Sequence, residues 1–184
     1  MFDTVLVAGL GLMGGSMAKT IKARTLSRVL GWNRTRATAE QALADGSIDA
    51  IATDALFREV DLVIIGLYPQ ATVDWLLENM PKMKKGCVIV DMVGVKQFMV
   101  DHLEQAALDA GVHYVGGHPM AGREFSGLDY ALPTLFDGAS MIFVPTRSSS
   151  ERILSQLEAY FMSLGFGQTV RCTAEQHDHM IAFT

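Results

Sequence analysis

Cysteine is scarce in this sequence: Cys87 and Cys172 are the only two in 184 residues. Two cannot build a disulfide framework, and neither sits in a Cys-x-x-Cys or Cys/His ligand spacing. A reducing cytoplasm and no metal are therefore expected. Charged residues make up only 19%, with 15 Lys+Arg against 20 Asp+Glu for a net charge of −5. No basic stripe is present, so no nucleic-acid partner is expected. Proline numbers 5 and hydrophobic residues reach 49%, which excludes a disordered chain. Nor is there a run of membrane length. The most apolar stretch, Thr4 to Ala18, has 15 residues against the roughly 20 that a spanning helix needs. Asp3 is its only early charge and glycines interrupt it, unlike a signal peptide. No membrane partner is expected.

What remains is an alternation of short apolar runs with segments of helical period. Strands are predicted at Thr4–Ala8, Val29–Trp32, Leu62–Gly66, Val88–Asp91, His113–Gly116, Ser140–Val144 and Gln168–Arg171. Helices are predicted over Met13–Ala23, Thr35–Asp45, Val73–Met80, Val95–Ala110, Glu151–Leu164 and Ala174–Phe183, with Pro81 and Gly111 as stop signals. Continuous apolar strands separated by helices imply a Rossmann-like, doubly wound α/β fold, with a mostly parallel sheet and helices on both faces. Residues 116–138 break the pattern: glycine-rich, with His, Arg, Glu and Asp, they read as a functional loop.

The chemistry concentrates in three places. Gly9-Leu10-Gly11-Leu12-Met13-Gly14 follows a strand and opens a helix, the context in which Gly-x-Gly-x-x-Gly binds a dinucleotide pyrophosphate at a helix N-terminus. Gly9, Gly11, Leu12, Met13 and Gly14 are the expected cofactor-binding residues there, with Tyr68 and Pro69 beyond the Leu62–Gly66 strand. At the end of the second strand, where NAD enzymes place a carboxylate on the ribose, stand Asn33, Arg34, Thr35 and Arg36. Two guanidiniums without a carboxylate suit a 2′-phosphate, so NADP is read ahead of NAD. Asn33 reading a ribose hydroxyl, with the arginines in water, is the alternative. Third, His118 lies between glycines and Pro119 just past a strand end, with a side chain that transfers protons near neutral pH. A loop histidine without chemistry is the plain alternative. His102 and His113 read as helix-surface and loop residues, and His177 and His179 cannot share a helix face.

In these residues the chain resembles the N-terminal domain of the prephenate/arogenate dehydrogenase family. The resemblance rests on Gly9 to Ser16, on Val90-Asp91 through Val95-Lys96, and on Gly117-His-Pro-Met-Ala-Gly122 with Glu124, Ser126 and Gly127. Glu175-Gln-His177-Asp178 completes it. It implies NAD(P)-dependent oxidative decarboxylation of prephenate or arogenate, giving 4-hydroxyphenylpyruvate or tyrosine, in tyrosine biosynthesis. It implies His118 as the catalytic histidine, Glu124, Ser126 and His177 as substrate-binding residues, and Ser16 near the nicotinamide. Many relatives carry a serine where this chain has Gly94. The family continues into a helical domain that mediates dimerisation and supplies basic substrate-binding residues. Residues 1–172 are accordingly expected to form the cofactor domain, and 173–184 to begin a helix into a domain outside this chain, through which a homodimer forms. Two readings compete: a β-hydroxyacid dehydrogenase, which shares the glycine loop and Asn-Arg-Thr but lacks the His-Pro-Met-Ala-Gly stretch, and a non-catalytic dinucleotide-binding module.

Overall fold

The structure, a computed structural model, describes residues 2–183. Its strands are β1 (Thr4–Ala8), β2 (Arg28–Trp32), β3 (Ala50–Ile51), β4 (Leu62–Ile65), β5 (Val88–Asp91), β6 (His113–Pro119), β7 (Ser140–Val144) and β8 (Gln168–Arg171). The helices are α1 (Leu12–Arg24), α2 (Arg36–Ala44), α3 (Pro69–Asn79), α4 (Gln97–Ala110), α5 (Glu151–Ser163) and α6 (Ala174–Ile181). One sheet runs in the order β3-β2-β1-β4-β5-β6-β7-β8, parallel throughout except where β6 meets β7. This is the doubly wound architecture that the alternation of runs predicts. β1 lies between β2 and β4, so the winding reverses there, and the crevice at their carboxyl ends is the ligand position of such sheets.

The central strands are apolar end to end because both faces are covered. Alternate side chains divide between two cores. Val5, Val7, Ile64, Val88 and Val90 face α1 and α5, meeting Met17, Ile21, Leu157 and Phe161. Leu6, Ala8, Val63, Ile65 and Ile89 face α3 and α4, meeting Leu76, Met99 and Leu103. Local signals set the helix ends. Pro69 at the first helical position starts α3 four residues ahead of the expected Val73, since its missing N–H has no partner there anyway. Thr173 and Gln176 form a reciprocal capping box at α6.

One expectation is corrected. Gly116 to Pro119 is not loop but the second half of β6, which changes partner midway. His113–Val115 pair in parallel with β5, whereas Gly116–Pro119 pair antiparallel with Val144–Met141 of β7. The glycines serve close packing: a methyl group on Gly117 would lie 2.3 Å from the Asp91 carbonyl oxygen. β6 opens at His113, where the strand was predicted to start, and the His113 Nδ1 is 2.5 Å from the Ser148 carbonyl oxygen. The irregular segment is therefore confined to the chain between β6 and β7. It wraps over α1, where the Leu132 N–H donates to Ser16 Oγ (3.0 Å), Thr20 Oγ1 to the Pro133 carbonyl (3.1 Å) and Lys19 Nζ to the Ala131 carbonyl (3.3 Å).

Phe161 joins α5 to the sheet through edge-on contact with Phe143 (5.3 Å) and tilted contact with Phe166 (5.4 Å). Phe161→Ala should cost about 3–5 kcal/mol. A urea titration should show the midpoint falling with the slope unchanged.

Candidate active site

The first half of the site is a cradle. Gly9 turns the chain with a φ of 89°, a value suited to glycine, and its N–H donates to the Trp32 carbonyl (2.8 Å). A methyl group on Gly14 would sit 1.7 Å from the Gly9 carbonyl oxygen, so α1 can start under the turn only with glycine there. Gly11 differs: a methyl group built on it meets nothing within 4 Å. It faces open space above the first turn of α1, where no side chain caps the helix and no acidic residue stands. Free N–H groups and the helix dipole make that space fit for phosphate oxygens. The turn after β4 closes one side, with the Gly66 N–H donating to the Ala8 carbonyl (2.7 Å). Beyond it Tyr68 is exposed at the start of α3, beside Pro69. On the other side Asn33 is already engaged. Its Oδ1 accepts the Leu10 N–H (2.9 Å) and its Nδ2 donates to the Thr35 carbonyl (3.1 Å), so it holds the glycine turn in shape. Arg34 and Thr35 are exposed, and Arg36 is turned towards Glu40 (2.8 Å). Ser16 departs from expectation. It is fully buried and accepts the Leu132 N–H, so it stands behind the cradle and does not line it.

The second half centres on His118, carried on β6 at the same edge of the sheet. Its Nδ1 lies 2.8 Å from Nε2 of His177, which α6 delivers fully buried. His177 Nδ1 is 2.7 Å from Asp178 Oδ1. The Asp178 carboxylate also accepts two backbone N–H groups at the start of α4, from Lys96 (2.8 Å) and Gln97 (2.9 Å). Partial burial opposes the Asp178 charge, but these donors and His177 together hold its pKa below the ordinary carboxylate value. On its other side, His118 faces Gly94. A methyl group there would be 3.8 Å from both Cε1 and Nε2, so the glycine leaves Nε2 uncovered. Burial first, then the neighbouring His177 and Lys96, push the His118 pKa down to about 4, with Asp91 and Asp178 opposing.

Beneath this lies a group that reading the residues alone did not assign. Asp91 and Lys96 are both fully buried and form an ion pair. Asp91 also accepts the Tyr114 hydroxyl (2.7 Å) and the Val93 N–H (2.8 Å). Desolvation lowers the Lys96 pKa against the pull of Asp91, and burial raises that of Tyr114. An aspartate ending one strand and a lysine five residues on were the available signal. Of the other expected residues, Glu124 and Ser126 are exposed on the chain after β6 and share no hydrogen bond with His118 or His177. Among the described residues, no group of three or more His, Cys, Asp or Glu side chains is placed to hold a metal ion.

A glycine cradle and a histidine pair share one sheet edge, and the sequence compares accordingly. The family profile for the prephenate dehydrogenase nucleotide-binding domain matches residues 17–168. The chain belongs to this family. A prephenate dehydrogenase of Bacillus subtilis is 34% identical over 182 residues, covering 97% of this chain and 48% of that protein. The chain thus spans about half the length of this curated relative. The crystal structure of Synechocystis arogenate dehydrogenase superposes with a TM-score of 0.88 at 26% identity, covering 97% of this chain and 63% of that one. The Aquifex aeolicus prephenate dehydrogenase in complex with hydroxyphenyl propionate and NAD+ gives 0.88 at 25% identity, with coverage of 98% and 63%.

The two glycines of the cradle should separate folding from binding in this nucleotide-binding domain. Gly11→Val should leave the circular dichroism spectrum intact and weaken NADPH binding, read by its fluorescence. Gly14→Ala should disrupt the fold itself.

Proposed function

We propose that the chain is the cofactor-binding half of an NAD(P)-dependent prephenate or arogenate dehydrogenase. The enzyme would oxidatively decarboxylate its substrate to 4-hydroxyphenylpyruvate or tyrosine in tyrosine biosynthesis, with His118 as the base. The observation that carries this is His118 itself, held by a buried partner at Nδ1 with Nε2 open beside Gly94, at the edge that bears the cradle. Family membership supports this substrate class. When bound, the nicotinamide supplies the hydride acceptor. His118 Nε2 accepts the proton of the ring hydroxyl as the hydroxyl carbon is oxidised, and departure of the carboxylate as CO2 leaves the ring aromatic. The lowered pKa keeps the imidazole neutral, and so able to accept, throughout the physiological range. Glu124 and Ser126 lie on the segment leaving β6, which suits them to the substrate side of the cleft.

In this reading α6 leads into a helical domain that completes the substrate cleft, supplies basic groups for its carboxylates and forms the homodimer. The twofold greater length of the Bacillus relative supports it. A cytoplasmic setting fits the two free thiols, and no helix among the described residues is long and apolar enough to cross a membrane.

In the full-length protein, His118→Asn should lower turnover of prephenate by about 10²–10⁴ with nucleotide affinity little changed. The acid limb of kcat/KM should fall well below pH 6.5, towards about 4. The sign for stability follows from the same shift. Between those two values the unfolded chain takes up a proton that the folded chain does not, so stability falls as pH drops through that window. Wild-type turnover by His118→Asn would remove the base from the scheme.

For the cofactor we propose NADP at least as good as NAD. Support comes from exposed Arg34 and from Asn33, whose amide is committed to the glycine turn. Arg34→Ala should then weaken NADP+ by about 10- to 100-fold, the worth of one charge-assisted pair, and NAD+ little. A tenfold preference of the wild type for NAD+ in titration calorimetry would overturn this.

A further inference from the structure

The geometry points to Asp178 and His177 as a positioning relay that sets which ring nitrogen of His118 carries the proton, so that Nε2 is the bare acceptor. The inference rests on the proposed role of His118 and deepens it. It also reassigns His177, whose ring is fully buried and contacts His118.

The argument runs through donors and acceptors. Asp178 is an ionised carboxylate that accepts the Lys96 and Gln97 N–H groups, so it has only acceptor capacity to offer His177. The Nδ1 of His177, 2.7 Å away, must therefore carry a proton. The relay takes His177 as the neutral imidazole, whose single N–H is then the one at Nδ1 and whose Nε2 is an acceptor. The His118 Nδ1 lies 2.8 Å from that atom and must donate to it. His118 is then protonated on Nδ1 and bare on Nε2, the nitrogen beside Gly94. In water a neutral imidazole prefers the opposite tautomer, so the relay selects the form that can take a proton from substrate.

The other charged and titratable groups near His118 do not compete for its ring nitrogens. Lys96 and Asp91 satisfy each other, and Tyr114 donates to Asp91. A serine at position 94 would be a second means of holding the His118 ring, and this chain lacks it. The backbone of α6 is anchored independently of the ring contacts by the Thr173–Gln176 capping box, so His177 is offered by a preset helix start.

The test uses the full-length protein with 15N-labelled histidine rings, the His118→Asn spectrum identifying the His118 signals. Two-bond proton–nitrogen correlations should show His118 and His177 both protonated at Nδ1. Protonation of His118 at Nε2 overturns the relay whatever the reaction. His177→Leu removes the acceptor. It should shift His118 towards the Nε2–H form and lower kcat by about 10²-fold, with KM and nucleotide affinity within about twofold. His177→Gln, whose amide oxygen can stand where Nε2 stood, should keep the wild-type tautomer and most of kcat. Unchanged kcat in His177→Leu, or equal losses in the Leu and Gln variants, refutes the relay's part in the reaction. If the Leu variant does not fold, the wild-type and Gln spectra still decide the tautomer. Activity retained by His118→Asn would sink the base assignment alone and leave the tautomer result standing.

Discussion

The buried ion pair of Asp91 and Lys96 is the constraint from which the site is built. Two opposite charges without solvent contact are tolerated only if each keeps its partner and the remaining lone pairs find donors. Here Tyr114 and the Val93 N–H provide those donors. The pair therefore fixes the turn between β5 and α4, and with it the place where α4 begins. The first N–H groups of α4 hold Asp178, Asp178 holds His177, and His177 holds His118. Each link is short, and each depends on the previous one for position. Removing one member of the pair would leave a buried charge alone, at a cost of about 3–5 kcal/mol, and would release this sequence of contacts.

Much of the fold was legible in the sequence because its strands are buried on both faces. A run such as Leu62–Ile65 has no polar residue to misplace, and Gly9 to Gly14 is specific once a strand precedes it and a helix follows. The doubly wound sheet followed from these. The change of partner in β6 was not legible. Gly116 and Gly117 look like loop residues in one dimension, and only the approach of the Asp91 carbonyl and the Lys96 side chain shows why side chains are excluded there. Ser16 was misread for a related reason. The resemblance implied the cleft, but a helix has a rear face, and the chain between β6 and β7 lies against Ser16 there.

The histidine pair shows a different limit. His118 and His177 were both singled out, yet their contact spans 59 positions and no periodicity joins β6 to α6. Asp178 was visible only as part of a resemblance, because its work is done on backbone N–H groups that any sequence would supply. Gly94 is the reverse case: its departure from many relatives was readable at once. Its meaning, an uncovered Nε2, came only with the ring beside it.

The placement of His118 within a strand has a consequence for how this scaffold diversifies. Its backbone is paired with Ile142 of β7, and the preceding residues His113–Val115 of the same strand are paired with β5. His118 is thus held by the sheet, while the segment that follows it is irregular and largely exposed. Insertions and substitutions between Pro119 and β7 can remodel the surface there without displacing the His118 ring. In the proposed reaction, selection for a new substrate and preservation of the proton transfer then act on separate stretches of chain, the first of them the segment that leaves β6.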